Sequence, residues 1–361
     1  MSSRLHDRRA PRLGRRGFLA GAAAAAAAIP IVPASAKPKT VDLDPMSIDV
    51  LAKPITGFNR LSSEKRFGRL IFRGGLTLSS SSEWFGGWSG VTLGNDGRRI
   101  LAVSDAGVWL TAEMVYDGEK PVGFEGARIG PILASDGSHL NRNRDRDAEA
   151  VCLVDGSLER GTILIAFEQN TRIGRFPVNE RGIGRPTSYL TQPAERQKLH
   201  RNRSIEAVTM LRGGRYRGTV LAFAERYQET AGTHTGWLWL GGRPEKLFLT
   251  ATEGYDITDV AALRDGSVLV LERAFGWLSG VAMRLRMIGA GEIAPGRTAE
   301  GRVLLTADMS SDIDNMEALA VHETASGETV ITLMSDDNFN AYLQRNLLLQ
   351  FTLADDKEAR T

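Results

Sequence analysis

The residues of this chain best suited to chemistry are carboxylates that recur at regular intervals. The stretch 146–170 (RDAEAVCLVDGSLERGTILIAFEQN) shows the unit: Glu149 opens an apolar run, a turn follows, and a second apolar run ends in Glu168. Later units pair Glu206 with Glu225, Asp259 with Glu272, and Glu317 with Asp336. The first unit keeps only Asp105, because Gly90 stands at its opening position. Corresponding positions 90, 149, 206, 259 and 317 lie 59, 57, 53 and 58 residues apart. In three units the opening and closing acids are 19 residues apart. Carboxylates brought together either hold protons at raised pKa or take up cations. Arginines adjoin them at 144, 146, 201, 203, 226 and 273, and Asp312, Asp314, Asn315, Asp337 and Asn338 add oxygens near the last unit. Such an oxygen-rich set suits a hard divalent ion, Ca²⁺ first, since it takes roughly six to eight oxygen ligands. The same residue types also form inter-blade salt bridges and cap backbone amides, which is the competing structural reading.

The elements that must position these acids read as short strands. Ile163–Phe167 and Val220–Ala224 are apolar without alternation, as expected of strands covered on both faces. The stretches 172–178 and 237–240 are more mixed and read as outer strands. No long amphipathic helix stands out. A period of this size, built from short strands and glycine turns, predicts an all-β fold, a β-propeller. In a blade the first strand lines the central channel and the second runs back beside it. Opening and closing acids therefore meet at one face, and nine carboxylates are expected around one mouth of the channel. Dividing the 325 residues from Lys37 onward by a period of about 57 predicts five or six blades. The N-terminal strands, including 69–78, either close the ring beside 347–353 or add a degenerate sixth blade.

Composition narrows the function classes. The 361 residues are 42% hydrophobic and 24% charged, as in ordinary globular proteins. The first 36 residues carry six arginines against one aspartate; the remainder has 39 basic and 42 acidic residues, a net of −3. That balance gives no bulk attraction to nucleic acid or an anionic membrane. Cys152 is the sole cysteine, so no intramolecular disulfide forms, and its mid-strand position reads as packing. Histidines at 6, 139, 200, 234 and 322 make no zinc motif. There is no G-x-S-x-G elbow, P-loop or G-x-G-x-x-G fingerprint; Ser89 reads as part of a turn, and His234 and His322 read as packed or solvated.

The N-terminus reads as an address. Arg15-Arg16-Gly17-Phe18-Leu19 precedes an alanine-rich apolar segment, and Ala34-Ser35-Ala36 is an A-x-A cleavage site. This resembles a twin-arginine signal peptide, with Gly14 and Ala20 departing from the usual pattern and a Sec-type signal as the alternative. The expected organisation is a signal peptide at 1–36, a lead-in with ring-closing strands at 37–83, and propeller repeats at 84–361. The twin-arginine export machinery is the expected partner of the precursor. The mature protein is expected in the periplasm or outside the cell, without stable membrane insertion.

The units DAEAV…ILIAFEQN, SIEAV…VLAFAER, DITDVAAL…VLVLER and NMEAL…ITLMSDDNF resemble the phytase-like propeller family, described as having esterase-like activity of phytase. The resemblance runs from about Trp84 to Leu353. It implies a β-propeller, hydrolysis of a small-molecule ester, in the first place a phosphate, and Ca²⁺ as cofactor. On that reading Glu149, Glu206, Asp259 and Glu317 are the catalytic candidates, holding metal or orienting water. Arg146, Arg203, Arg226 and Arg273 would bind phosphate oxygens, and Glu168, Glu225, Glu272, Asp336 and Asp337 would complete the metal site. Two alternatives stand beside it: a non-catalytic binding propeller, whose acids are locked in salt bridges, and a Ca²⁺-dependent carboxyl-ester or lactone hydrolase.

Overall fold

The chain forms five antiparallel-rich sheets arranged as a five-bladed β-propeller. The computed structural model describes residues 41–199, 204–277 and 279–354. The proposed signal segment 1–36 and two of the candidate arginines, Arg201 and Arg203, lie outside the described residues.

The innermost strands are Trp88–Leu93, Ala148–Gly156, Ile205–Met210, Asp256–Ala262 and Met316–Glu323, one per blade. Each neighbours the next, and the fifth neighbours the first, so the ring is closed. The last blade is built from both ends of the chain. Asn346–Leu353 lies between Thr329–Ser335 and the N-terminal strand Leu70–Ser79, and Leu51–Ile55 adds the outer edge. The N-terminal strands thus complete the fifth blade, which leaves no sixth among the described residues. Met46–Ser47 crosses to the outer edge of the first blade.

Burial explains why the second strands lack alternation. Ile163, Ile165 and Phe167 face the first blade and pack with Leu101, Val103 and Trp109. Leu164 and Ala166 face the third blade and pack with Val208, Ala222 and Trp237. Both faces of one strand are therefore core. The described core divides into five apolar clusters, each filling one blade–blade interface. Each fully buried Leu, Ile or Phe contributes on the order of 2 kcal/mol of transfer free energy. Hydrogen-bonded strand pairing runs within blades, so the ring is held by side chains, through packing and a few side-chain hydrogen bonds across blade boundaries.

The inner strands approach one another closely. A Cβ on Gly90 would stand 2.8 Å from the Ala150 Cα and from the Val151 nitrogen. Gly90 is thus a contact glycine between the first two blades. Further along the inner strands the channel is nearly filled by side chains such as Val151, Cys152, Val260 and Leu319, leaving only about 20 Å³.

Candidate functional site

Every inner strand carries a β-bulge in its first turn of pairing. Two of its residues then oppose one on the second strand, and the extra residue is re-aimed. The residues at the bulges are Ser89, Glu149, Glu206, Thr258 and Glu317. On the second strand, the position after the last bulge partner is held by Asp105, Glu168, Glu225, Arg273 and Asp336. The acid pair is complete in the second, third and fifth blades. The first blade has Ser89 with Asp105, and the fourth has Thr258 with Arg273.

Nine of these ten residues, all except Thr258, line one cavity of about 560 Å³ at the channel mouth. Asp147, Asp256 and Asn315, each two residues before a bulge, line it too, as does Arg226. Among the described residues the cavity holds nine carboxylates and two arginines. The number of acids matches the expectation, but its membership does not.

Asp259 and Glu272 were expected at the mouth and are absent from the lining. Asp259 lies one residue past the bulge, where its carboxylate accepts Val260 N–H and Leu319 N–H, each at 2.8 Å, and so ties the fourth inner strand to the fifth. Glu272 pairs directly with Ile257 across the ladder and is fully buried. Its carboxylate accepts from Arg284 at 2.7 Å and from Arg286 at 2.5 Å. Asp337, expected as a metal ligand, accepts Gly87 N–H, Phe339 N–H and the Asn346 side-chain amide. It joins the fifth blade to the first. In all three the carboxylate oxygens are occupied by protein donors, the role of structural acids. Arg146, expected at phosphate, is fully buried outside the lining, against Gly107, with Asp105 and Asp147 as its electrostatic partners. Asp312 and Asp314 are engaged by Arg345, and Asp312 by Arg60 as well.

Of the remaining expected residues, the structure brings Glu149, Glu206, Glu317, Glu168, Glu225, Asp336, Arg226 and Arg273 together around the cavity. Sequence reasoning missed Asp147 and Asp256. Their signal was the position two residues before the bulge, legible only once the true register is known.

Electrostatics follow from this crowding. Enclosure, reinforced by Glu206, Asp147, Asp105 and Glu317, pushes the Glu149 carboxyl well above its usual range. Enclosure also raises Glu206, with Glu225, Glu168 and Glu317 adding to it, and raises Asp336, with Glu317 and Asp105 adding. Glu225 is pushed up to about 7, chiefly by burial, with Arg226 opposing and Asp256 assisting. Burial works against the Arg273 cation, but Glu317, Glu225, Glu206 and Asp336 together hold it charged. Arg273 donates to Glu317 and, at 2.5 Å, to Asn315, and stands 3.7 Å from Glu225. Arg226 pairs with Asp256 at 2.6 Å and Glu225 at 3.4 Å.

On the second-blade side, oxygens of Asp147, Glu149 and Glu168 all lie within 4.8 Å of one another. That spread fits a cation with oxygen ligands at roughly 2.3–2.6 Å, the range for Ca²⁺. Hard oxygen donors in a cavity that otherwise crowds like charges are the correct chemistry for such an ion. The other candidate groups lie outside the cavity lining. Burial pushes the Cys152 thiol up to about 12 and the His322 imidazole down to about 4, and lowers His234, whose Nδ1 lies 3.1 Å from the Glu225 carbonyl oxygen. None of these three side chains lines the cavity.

Fold and site together define a five-bladed propeller with an acidic, arginine-bearing mouth. Residues 83–339 match the family model Phytase-like, described as esterase-like activity of phytase, and the chain belongs to that family. No curated protein matches it.

Proposed function

We propose that this chain is an ester hydrolase of phosphatase type acting at the acidic mouth, assisted by a divalent metal. The observation that carries this reading is the convergence of nine carboxylates and two arginines on one cavity, with three carboxylates grouped at cation-binding distance. Asp147, Glu149 and Glu168 would hold the ion, with Ca²⁺ the best fit to oxygen-only donors. A bound divalent ion supplies charge neutralisation and a lowered pKa for bound water. Arg273 in the fourth blade and Arg226 at the third bind the anionic oxygens of the ester. Glu206 and Glu225 belong to the third blade, between the second and the fourth. Glu225, with a carboxyl near 7, holds a proton that can pass to the departing alkoxide, and Glu206 orients the attacking water. Glu317 and Asp336 keep Arg273 in place and charged.

Hydrolysis of 4-nitrophenyl phosphate and 4-nitrophenyl acetate, with calcium and with chelator, tests the reading. Calcium-dependent release from the phosphate supports it. Release from the acetate alone moves the assignment to a carboxyl-ester hydrolase. No turnover of either removes it. One observation favours a binding propeller instead: Arg273 and Arg226 already pair with cavity acids.

We further propose export through a twin-arginine-type signal at 1–36, with the mature protein working in the periplasm or outside. Cell fractionation of the wild type and of an Arg15→Lys, Arg16→Lys variant tests this. Retention of the variant as uncleaved precursor is expected, and unchanged export would exclude a twin-arginine route.

A further inference from the structure

The acidic cavity has one hydrocarbon wall. Phe275 and Val281 are the apolar side chains among its lining residues. They are direct partners across the hairpin formed by Val268–Gly276 and Gly280–Ile288, so both project from the same face of it. Phe275 is 66% exposed and Trp277 95% exposed, and their rings meet edge to face at 6.0 Å. Met309, 45% exposed, packs beside Gly280 at the turn end of the same hairpin. Large aromatics left this open on the rim of a charged cavity are costly unless something covers them.

Placement relative to Arg273 says what. Arg273 and Phe275 are two residues apart on one strand, so their side chains leave the same face about 7 Å apart. Neighbours on one face at that spacing can hold the two ends of one small ligand, the anion at the guanidinium and the group esterified to it at the ring. We propose that Phe275, Val281 and Trp277 form an apolar subsite for the group esterified to the anion. The substrate class is then an ester with a single anionic group, carried by an aromatic or compact apolar alcohol. This rests on the reading of the cavity as an ester site. A substrate bearing anions all round would set charge against this wall, and would meet nine carboxylates with two arginines to offset them.

Binding of non-hydrolysable anions separates this proposal from the catalytic one. Phenylphosphonate and methylphosphonate are titrated by calorimetry into the calcium-loaded protein and into Phe275→Ala. Phenylphosphonate should bind at least about tenfold more tightly to the wild type, the scale of one good aromatic contact. Phe275→Ala should lose most of that preference, and Trp277→Ala a smaller part. Both residues are exposed, so neither change threatens folding. Equal affinity for the two phosphonates, or a preference that survives Phe275→Ala, overturns the subsite and leaves the ester reading standing. Failure of both ligands to bind overturns the two together.

Discussion

Arg273 holds in the fourth blade the position that Glu225 holds in the third, and the two side chains stand 3.7 Å apart across the blade boundary. The ring of closing residues is therefore four carboxylates interrupted by one guanidinium. This cation does two things. It offsets Glu225, Glu317 and Glu206, and it presents N–H donors to the cavity. Arg273→Gln should therefore weaken binding of inorganic phosphate or phosphonate by more than about tenfold, the scale of a charge-assisted hydrogen bond. It should also destabilise the fold by on the order of 2 kcal/mol. Breaking a fully buried ion pair costs roughly 3–5 kcal/mol, and this side chain remains 20% exposed. Calorimetric titration and thermal denaturation check the two effects. Retained anion affinity would remove Arg273 from the binding role.

The carboxylate triplet should respond to calcium. Any ligand that binds only the folded state stabilises it, by about 2.7 kcal/mol at a hundred times its Kd. Millimolar calcium should raise Tm by several degrees, and chelator should reverse the rise. Glu149→Gln should abolish most of the increase while itself raising the Tm of the metal-free protein, because burial and the neighbouring Glu206, Asp147 and Asp105 disfavour in the fold the ionised form that the unfolded chain adopts, and the amide has no such ionisation to suppress. A calcium response equal in wild type and variant places the ion elsewhere.

Stability of the metal-free protein should depend on pH with a definite sign. The Glu225 carboxyl titrates near 7 in the folded state and near 4.5 when unfolded. Between those values the unfolded chain has released a proton that the folded chain still holds. Stability therefore falls as pH rises through this window and levels off above it. Glu149, Glu206 and Asp336 shift in the same direction and add to the slope. Each pH unit per group is worth about 1.4 kcal/mol. Tm at pH 5 should exceed Tm at pH 8 in chelator, and calcium should flatten the profile. A Tm that rises from pH 5 to 8 in chelator would contradict the crowded mouth.

Two acids outside the cavity should matter for folding and leave the catalytic constants alone. Asp259→Ala strands two buried N–H donors, of Val260 and Leu319, at roughly 1–3 kcal/mol each. Glu272→Gln uncouples the buried Arg284 and Arg286, at roughly 3–5 kcal/mol. Denaturant melts should show the losses. Where enough folded protein remains, kcat on a turned-over ester should match the wild type. A specific fall in kcat for Asp259→Ala, with stability intact, would return it to the site.

Gly90→Ala tests the close approach of the first two blades. Its methyl would lie 2.8 Å from backbone atoms of Ala150 and Val151, where no side-chain rotation gives relief. A loss of about 1–3 kcal/mol is expected from overpacking. Ser89→Ala, one residue earlier at the bulge, should cost far less. Equal effects of the two would argue against the tight inner ring.

How much of this was legible beforehand depends on the residue. Ile163–Phe167 and Val220–Ala224 declared strands buried on both faces, and the packing of each between two blades bears this out. Glu149, Glu206 and Glu317 fell on bulges because in those blades the motif acid and the bulge coincide. In the first and fourth blades they do not. The bulges there fall on Ser89 and Thr258, one residue before the aligned Gly90 and Asp259. The fourth-blade closing position correspondingly moves from Glu272 to Arg273.

The sequence by itself determined the period, the strand chemistry and the placement of acids near the ends of inner strands. Those follow from local residue order, and a propeller repeats local order. Only the tertiary structure decided which acids enter the cavity. A bulge absorbs one residue without changing composition, and a shift of one residue turns a strand side chain to the opposite face. That single step sends Glu272 to Arg284 and Arg286 inside the sheet and puts Arg273 in the mouth. The same step sets Asp259 on backbone donors and leaves Thr258 at the bulge.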